Sequence, residues 1–441
     1  MTKKDTAVMI KGKFKAHLRI GIPVLTCLCL LALSAYSFSD KMEHSGGFKI
    51  APYFIHTPDH HILMKFALAG DPPRTTPLIK VNGNIHPYHY QQDAVSGLVE
   101  VDLEAVPCDQ KMEVTLTSAD DTPPQKTVSR YSIPSFACSA DRAISFLFIA
   151  DTHGNASFFK REVPMILKRH SDKNIISIIH GGDWLNDGAD LAAWKAMARA
   201  AGEADGGHPI LSAIGNHEYH GYTAWEKLQK KRSSDEYREQ QPTEQRKADT
   251  PRIFKKYFLS GKNDVARGYN PAGYYTVHYP QAVLIVINSN QLGEKDGGNP
   301  WTFIKRETAA AAAEKKPIIV VSHHSLLGSN IFRINKIEGK RLRENLIPIL
   351  EEQQKKFKRE ANGADHGLPM IAVLSAHCHL YEESGKNGIV YLNAGAFGGW
   401  PMFGLWGNPY QKTSSSFVAT YSIVTVSKRG IAIETHKANS G

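Results

Sequence analysis

Long apolar runs alternate with amphipathic stretches from about residue 143 onward. The runs are AISFLFIA (143–150), NIISIIHGG (174–182), PILSAIG (209–215), AVLIVIN (282–288), PIIVVS (317–322) and MIAVLSA (370–376). Continuous β-branched runs of this kind predict strands that are buried on both faces of an α/β sheet. Between the first two runs, Phe159, Val163 and Ile166 recur at helical spacing, which predicts an amphipathic helix. We therefore expect an α/β domain over residues 141–435.

A different pattern precedes this domain. Over residues 47–140, alternating stretches such as HHILMKFALAG and KMEVTLTSA are separated by turn-rich segments such as AGDPPRTTP. Alternation with a period of two, bounded by Gly, Pro and Asp, is typical of antiparallel strands. The pattern predicts a small all-β, sandwich-like domain at 47–140, and we expect no catalytic residue in it.

The first 38 residues have the composition of a membrane-directed segment. Residues 1–19 carry six basic residues and one acidic residue, and residues 20–38 contain no charge. An apolar stretch of this length after a basic flank predicts either a transmembrane anchor or the core of a signal peptide. Because the basic flank stays in the cytoplasm, we expect the rest of the chain to be periplasmic or extracellular in both cases.

The overall composition adds few constraints. The 441 residues are 42% hydrophobic and 22% charged, which is ordinary for a globular protein. The net charge is +10, but much of it lies in residues 1–19, so the remainder gives no strong sign of nucleic-acid binding. Cys108 and Cys138 form either a disulfide or two buried thiols, and the sequence leaves both open, as it does the oligomeric state.

Polar residues typical of metal ligands follow five of the predicted strands. They are Asp151 and His153, Asp183, Asn216 and His217, His323 and His324, and His377 and His379. Ligands bind beyond the carboxyl ends of strands in open α/β sheets, so residues far apart in the chain are expected to meet in one cleft. Carboxylate, amide and imidazole groups together favour Mn, Fe or Zn over a calcium cage or a thiolate site.

The order of these motifs resembles that of the calcineurin-like metallophosphoesterase superfamily over roughly residues 143–430. The shared order is Asp-x-His, Gly-Asp, Gly-Asn-His-Glu, His and His-x-His, and the stretches GYYTVHYPQAVLIVINSN and YLNAGAFGG are similar too. With the β-domain in front, the arrangement is similar to that of purple acid phosphatases. The resemblance implies a four-layer α/β/β/α sandwich over a centre of two divalent metal ions.

The resemblance also implies a role for each of these residues. It implies a first metal ion held by Asp151, His153, Asp183 and His379, and a second held by Asp183, Asn216, His323 and His377. Asp183 would bridge the two ions, which would present a hydroxide as the nucleophile. His217 would donate a proton to the leaving group. His324 is the alternative to His323.

Three positions depart from the family pattern. Ala376 stands before His377 where the family usually has Gly, and Ser325 stands where it has Pro. Asn186 occupies the position of the metal-binding Tyr of purple acid phosphatases. Without a tyrosinate ligand we expect a pair of divalent ions, Mn, Fe or Zn, and not the purple Fe(III) form.

These features predict a phosphoesterase that hydrolyses phosphate mono- or diesters outside the cytoplasm. The alternatives are a surface binding module with a vestigial metal centre, or a nuclease that uses the same centre. A basic clamp would favour monoesters, and Lys262, Arg267 and Arg333 are candidates for it. The identity of the substrate is not readable from the sequence.

Overall fold

The apolar runs form strands in the computed structural model, as their pattern predicts. The structure describes residues 48–69, 76–117, 127–204, 206–219, 253–260, 267–292, 300–329, 337–360, 367–402, 404, 408–415 and 417–438. The predicted segments 1–19 and 20–38 lie outside these residues. Within the part of the chain that is described, no helix is long and apolar enough to cross a membrane.

The first sheet carries three of the predicted ligand-bearing strands at its centre. Its eight described strands, numbered in chain order, are β19 (Gly430–Lys437), β18 (Thr420–Ser427), β8 (Ile144–Ile149), β9 (Ile175–His180), β10 (Ile210–Ser212), β1 (Phe48–His56), β2 (His61–Leu68) and β5 (Val99–Ala105), from edge to edge. The neighbours β8, β9 and β10 are parallel. Their carboxyl ends therefore lie at the same edge of the sheet.

The second sheet carries the other two ligand-bearing strands. Its described strands are β11 (Tyr275–His278), β12 (Val283–Ile287), β13 (Ile318–Ser322), β14 (Ile371–Ser375), β16 (Ile389–Asn393), β15 (Tyr381–Lys386) and β17 (Gln411–Ser415), in that spatial order. β12, β13, β14 and β16 are parallel. The strands that precede His323 and His377, β13 and β14, are therefore adjacent.

Helices cover the outer faces of the two sheets. They are α1 (Ala156–Arg169), α2 (Leu191–Ala204), α3 (Pro300–Ala313) and α4 (Ile337–Glu360). Along β12, Val283, Ile285 and Ile287 pack with α3 and α4, whereas Leu284 and Val286 join the core shared with the first sheet, α1 and α2. Because both faces of the strand are buried, it reads as a continuous apolar run. The layers are α/β/β/α, and the predicted fold class is confirmed.

The β-rich region in front of this domain contributes a small antiparallel sheet. Its order is β4 (Asn84–Ile85), β3 (Leu78–Val81), β6 (Met112–Thr117) and β7 (Thr127–Ile133). Ile79, Val114 and Leu116 of this sheet share a core with Phe54, Met64 and other residues of β1, β2 and β5. The two layers form the sandwich-like packing that the alternating pattern predicts.

The strands of the 47–140 region are nevertheless shared between two sheets. β1 pairs in parallel with β10, with Ile55 opposite Ile210, so the first sheet continues across the predicted boundary at 140/141. The boundary itself stays a prediction. Within the region, Cys108 and Cys138 are joined by a disulfide with a Cα–Cα distance of 5.1 Å, which decides between the two alternatives for this pair.

Candidate metal centre

Loops at the carboxyl ends of both sheets bring the candidate ligands together. β8 leads to Asp151 and His153, β9 leads to Asp183, and β14 leads to His377 and His379. All five residues have a positive φ, between 49° and 68°. A left-handed backbone at a non-glycine residue costs about 1–3 kcal/mol, so surrounding contacts must hold each of them. Such clustering of strained residues is typical of functional sites.

One cluster contains the four residues predicted for the first metal ion. The ligand atoms of Asp151, His153, Asp183 and His379 all lie within 4.8 Å of one another. His153 Nε2 is 3.0 Å from His379 Nε2 and 3.6 Å from Asp183 Oδ2. His379 Nε2 is 3.7 Å from Asp151 Oδ1. Two carboxylates and two imidazoles therefore converge on one point.

A second cluster shares Asp183 with the first. Asp183, His323 and His377 also have ligand atoms within 4.8 Å of one another. Asn216 Oδ1 lies between the two imidazoles, 3.0 Å from His323 Nε2 and 2.8 Å from His377 Nδ1. The structure thus brings together all the residues predicted for the second ion, and Asp183 stands between the two clusters.

The geometry and the donor set fit divalent metal ions. Ligand atoms at 2.0–2.2 Å from one ion are about 2.8–3.6 Å from each other, as the closest pairs in both clusters are. Asp183 Oδ2 is buried and accepts no hydrogen bond within the described part of the chain. Three imidazole nitrogens, of His153, His217 and His323, lie 3.3–3.8 Å from it. A metal cation near this oxygen would compensate the buried carboxylate charge in place of a protonated imidazole.

The remote nitrogens of three imidazoles are fixed by oxygen acceptors. The donated hydrogen bonds are His153 Nδ1 to Asn186 Oδ1 (3.0 Å), His379 Nδ1 to Trp400 O (2.7 Å) and His323 Nδ1 to Gly181 O (3.0 Å). A histidine that donates from Nδ1 presents the lone pair of a neutral ring at Nε2. In each of the three residues, Nε2 faces the centre, so the rings are oriented as metal ligands require.

Charge in the site is balanced between Asp183 and His323. Burial by itself would raise the pKa of Asp183, but the positive charge of His323 holds that pKa well below its ordinary value. Burial opposes protonation of His323, yet the Asp183 charge raises its pKa to about 9. Burial lowers the pKa of His153 to about 4 despite both carboxylates. Because a metal ion binds only an unprotonated imidazole nitrogen, metal binding competes with a proton on His323.

Glu218 is a structural part of the site to which sequence reasoning assigned no role. Its fully buried carboxylate accepts backbone N–H groups from Asp183 (2.9 Å), Trp184 (2.8 Å) and Gly215 (2.7 Å). Burial and the Asp183 charge raise its pKa to about 8, although three N–H donors favour the ionised form. Glu218 ties the loop after β9 to the loop after β10. In the sequence, the position of Glu218 in the Gly-Asn-His-Glu motif was the signal that could have indicated a role in the site.

His217 lies at the edge of the centre and differs from the other histidines. Its backbone N–H donates to Asp183 Oδ1 (2.9 Å), and its Nδ1 donates to Asn186 O (2.7 Å). Its Nε2 is 3.8 Å from Asp183 Oδ2, and its side chain is 23% exposed. It therefore reaches toward the centre while remaining accessible to solvent.

The structure also separates the neighbouring histidines His323 and His324. His323 Nε2 faces Asn216 and Asp183, whereas His324 Nδ1 is 2.9 Å from Ser289 Oγ. Only His323 is therefore placed in the cluster. Ala376 does not have a positive φ, so its methyl group is tolerated where the family usually has Gly. Cys378, between the two motif histidines, is buried and forms no disulfide.

Of the three candidates for a basic clamp, Arg267 lies among the described residues. Arg267 pairs with Asp59 and Asp102 in the N-terminal β-rich region. Its charge is therefore neutralised by that region. Lys262 and Arg333 lie outside the described residues.

Comparisons with known proteins agree with this geometry. The calcineurin-like phosphoesterase family matches residues 144–381. A purple acid phosphatase, PPD1, from yellow lupin (Lupinus luteus) is 13% identical, with a TM-score of 0.61 over 88% of this chain and 72% of that one. PhoD is 11% identical, with a TM-score of 0.59 over 91% of this chain and 92% of that one. A comparison with curated protein sequences finds no significant match.

The family match covers more than half of the sequence and contains the candidate ligands from Asp151 to His379. The chain belongs to the calcineurin-like phosphoesterase family. It is a metallophosphoesterase with buried Asp and His groups suited to metal binding, and the two structures share its fold.

Proposed function

We propose that this protein hydrolyses phosphate mono- or diesters outside the cytoplasm, with two divalent metal ions. The observation that carries this proposal is the pair of clusters that share Asp183, with Asn216 Oδ1 between His323 and His377. A single structural metal ion would need only one closed set of ligands. Two adjacent sets with a common carboxylate are suited to holding both the attacking and the leaving oxygen of an in-line displacement.

The charges of the ligands fit a phosphoryl group. When bound, two divalent ions supply Lewis acidity and lower the pKa of a water molecule. Asp151 and Asp183 are the two carboxylates in the ligand set, and Asn216 and the imidazoles are neutral ligands. The site keeps an excess of positive charge, which attracts the negative oxygens of a phosphate ester. We assign the ions to Mn, Fe or Zn, because mixed oxygen and imidazole ligation suits these metals.

His217 is the proposed proton donor to the leaving group. Its Nδ1–H is held by the carbonyl of Asn186, so Nε2 is the nitrogen that faces the centre. Its partly exposed position is consistent with the exchange of a proton between solvent and the departing oxygen. A positioned imidazole acid contributes about 10²–10⁴-fold to the rate of such reactions.

Location outside the cytoplasm is supported by two features. The segment at 1–38 has the composition of an anchor or signal peptide, and Cys108 and Cys138 form a disulfide, which persists in oxidising compartments. A β-lactamase fused after residue 441 makes the host cell resistant to β-lactams only when the enzyme lies outside the cytoplasm. Resistance is expected with the full chain and should be lost when residues 1–38 are deleted; equal resistance without them would contradict this location.

The replacement Asn216→Ala tests the two-metal proposal. It removes the neutral oxygen between His323 and His377 while leaving the four residues of the first cluster intact. We expect the purified variant to bind about one metal ion fewer per chain and to lose at least about 100-fold in kcat for aryl phosphates. Elemental analysis and steady-state kinetics measure the two quantities.

The matched control is Asn345→Ala on α4, where the amide donates to the backbone carbonyl of Arg341 in its own helix. It should keep both the metal content and the activity of the parent protein. Full activity in pure Asn216→Ala protein would show that the second cluster is not part of the catalytic centre. A panel of phosphate monoesters, diesters and nucleic acids then separates the possible substrates.

A further inference from the structure

Trp400 presents a large aromatic side chain to solvent beside the metal centre. It is 85% exposed, although an indole is among the side chains that gain most from burial. Its backbone oxygen accepts a hydrogen bond from His379 Nδ1 at 2.7 Å. The backbone of Trp400 therefore contacts His379, a member of the first cluster.

The loop that carries Trp400 is held rigidly on the carboxyl ends of the sheets. Phe397 N donates to Ala150 O (2.8 Å) and Gly399 N donates to Asp151 O (2.9 Å). Asn155 Nδ2 donates to the carbonyl of the intervening glycine, residue 398, at 3.1 Å. Phe397 is fully buried, with its ring 5.1 Å from that of Phe158. The exposed indole is therefore displayed by a well-anchored loop.

Close approach of the loop to the ligands requires glycine at position 399. A Cβ at Gly399 would lie 2.6 Å from His153 Cδ2 and 2.7 Å from Asp151 O. These distances are shorter than real Cβ contacts. The loop therefore packs directly on His153, and its next residue, Trp400, is placed at the rim of the centre.

The rings around the first cluster form a continuous row. The ring of His217 is 4.7 Å from that of His153, which is 4.7 Å from that of His379. Trp400 follows His379 through its carbonyl contact. A phosphoryl group held at the ligands would let the organic part of its ester extend along this row toward Trp400.

From this arrangement we infer that Trp400 forms a subsite for the organic group of the substrate, and that the preferred phosphate esters carry a planar ring, aryl or nucleobase. The inference rests on the proposed function, since it assumes that a phosphoryl group binds at the centre. An indole face attracts planar rings through offset or edge-to-face contacts, and stacking on an aromatic side chain is tolerant of the identity of the ring.

The two roles of Trp400 can be separated by mutation. The contact with His379 is made by the backbone carbonyl, so Trp400→Ala removes the indole and leaves this hydrogen bond in place. Trp400→Phe keeps a planar ring. Ile85→Ala, at a 65% exposed position of β4 in the N-terminal region, is the matched control for loss of an exposed apolar side chain.

The experiment measures KM and kcat of the full protein for 4-nitrophenyl, nucleoside and glycerol esters of phosphate, as mono- and diesters. We expect Trp400→Ala to raise KM for the planar esters about 3- to 10-fold with kcat nearly unchanged, because the contact is made equally in ground and transition states. Glycerol esters should be unaffected, Trp400→Phe should recover most of the loss, and metal content should not change.

Binding of phenylphosphonate and methylphosphonate provides a readout independent of turnover. The parent protein should prefer phenylphosphonate, and Trp400→Ala should lose that preference. If planar and glycerol esters change to the same extent, or neither changes, the subsite is refuted while the proposed function stands. If the parent protein hydrolyses none of the esters, the proposed function fails, and equal binding of the two phosphonates would refute the subsite as well.

Discussion

His217 is the residue whose surroundings separate proton donation from metal ligation. Its Nδ1 is occupied by the Asn186 carbonyl and its Nε2 is 3.8 Å from Asp183 Oδ2. We expect His217→Gln to keep both metal ions but to lower kcat by about 10²–10⁴-fold for esters with poor leaving groups. Esters with good leaving groups should lose much less, because their oxygens depart without a proton.

A series of aryl phosphates with leaving groups of different acidity tests this dependence, with metal content measured on the same samples. A steeper decrease of rate with leaving-group pKa in the variant supports proton donation. Parallel plots for the parent protein and the variant, or loss of a metal ion, would assign His217 to another role.

Asn186 is expected to orient His153. Its Oδ1 accepts from His153 Nδ1 (3.0 Å), and its Nδ2 donates to the His153 carbonyl (2.9 Å). Removing the partner of a ligating histidine typically weakens metal binding about 10–100-fold. We therefore expect Asn186→Leu to weaken the binding of one of the two ions by this factor. Asn186→Asp keeps an acceptor for Nδ1 and should bind metal more tightly than Asn186→Leu. Competition with a chelator measures the affinities, and equal affinities in the two variants would contradict an orienting role.

Residues in the site differ in how far they could be predicted. The grouping of Asp151, Asp183 and His377 could be predicted because each one directly follows an apolar strand, and parallel strands end together. The roles of Asn186 and Glu218 could not, because they depend on hydrogen bonds between loops whose approach is set by tertiary packing. Local sequence carries no information about such distances.

At the level of whole elements, the loops after β9 and β10 must approach each other closely. A Cβ at Gly215 would overlap with Asp183 N and Oδ1 and would lie 2.8 Å from Glu218 Oε2. Gly215→Ala should therefore push apart the two loops that Glu218 joins. We expect reduced metal content and a loss of at least about 2 kcal/mol in the free energy of unfolding, since backbone atoms in a packed site cannot shift freely.

Gly206→Ala is the comparison for this variant. Gly206 has φ of +57°, and apart from its chain neighbours no atom of the described residues lies within 4 Å of the Cβ position, so alanine there should cost about 1 kcal/mol through backbone strain alone. Its metal content should equal that of the parent protein. Urea unfolding and elemental analysis of the two variants distinguish steric closure of the site from a general cost of replacing glycine; equal metal content in both would refute the close-approach argument.

The elements themselves could be predicted better than their pairing. β12, β13 and β14 are buried on both faces and read as uninterrupted apolar runs, so their existence and type follow from hydrophobicity alone. In the 47–140 region β5 and β6 alternate between buried and less buried positions, whereas β1 and β2 are buried almost throughout, and neither pattern specifies which sheet a strand joins. The pairing of Ile55 with Ile210 connects residues far apart in the sequence and depends on the packing of the whole domain.

At the scale of the whole molecule, a buried histidine connects the two main sheets. His56, at the end of β1, has Nδ1 within 3.1 Å of Tyr279 Oη and 3.3 Å of Ser177 Oγ, and its Nε2 is 3.4 Å from His60 Nδ1. Ser177 belongs to β9, and Tyr279 directly follows β11. Burial, followed by the neighbouring His60, lowers the pKa of His56 to about 3. Burial also lowers the pKa of His60, and the hydrogen bond that His60 donates to the His278 carbonyl partly opposes this decrease.

This histidine should make the stability of the fold depend on pH. In the unfolded chain the pKa of His56 returns to 6.5, so between about pH 6.5 and 3 the unfolded state binds one more proton than the folded state. Stability contributed by neutral His56 is therefore complete above pH 6.5 and is lost as the pH falls, by up to about 1.4 kcal/mol per pH unit.

We expect His56→Phe to flatten the pH dependence of the unfolding free energy by up to this amount, even though it loses hydrogen bonds at neutral pH. Urea unfolding between about pH 7.5 and 4.5 measures the slopes, with His89→Phe at an exposed position as the control. Since the metal ligands contribute equally to every variant, an unchanged slope in His56→Phe would mean that this cluster does not couple folding to protonation.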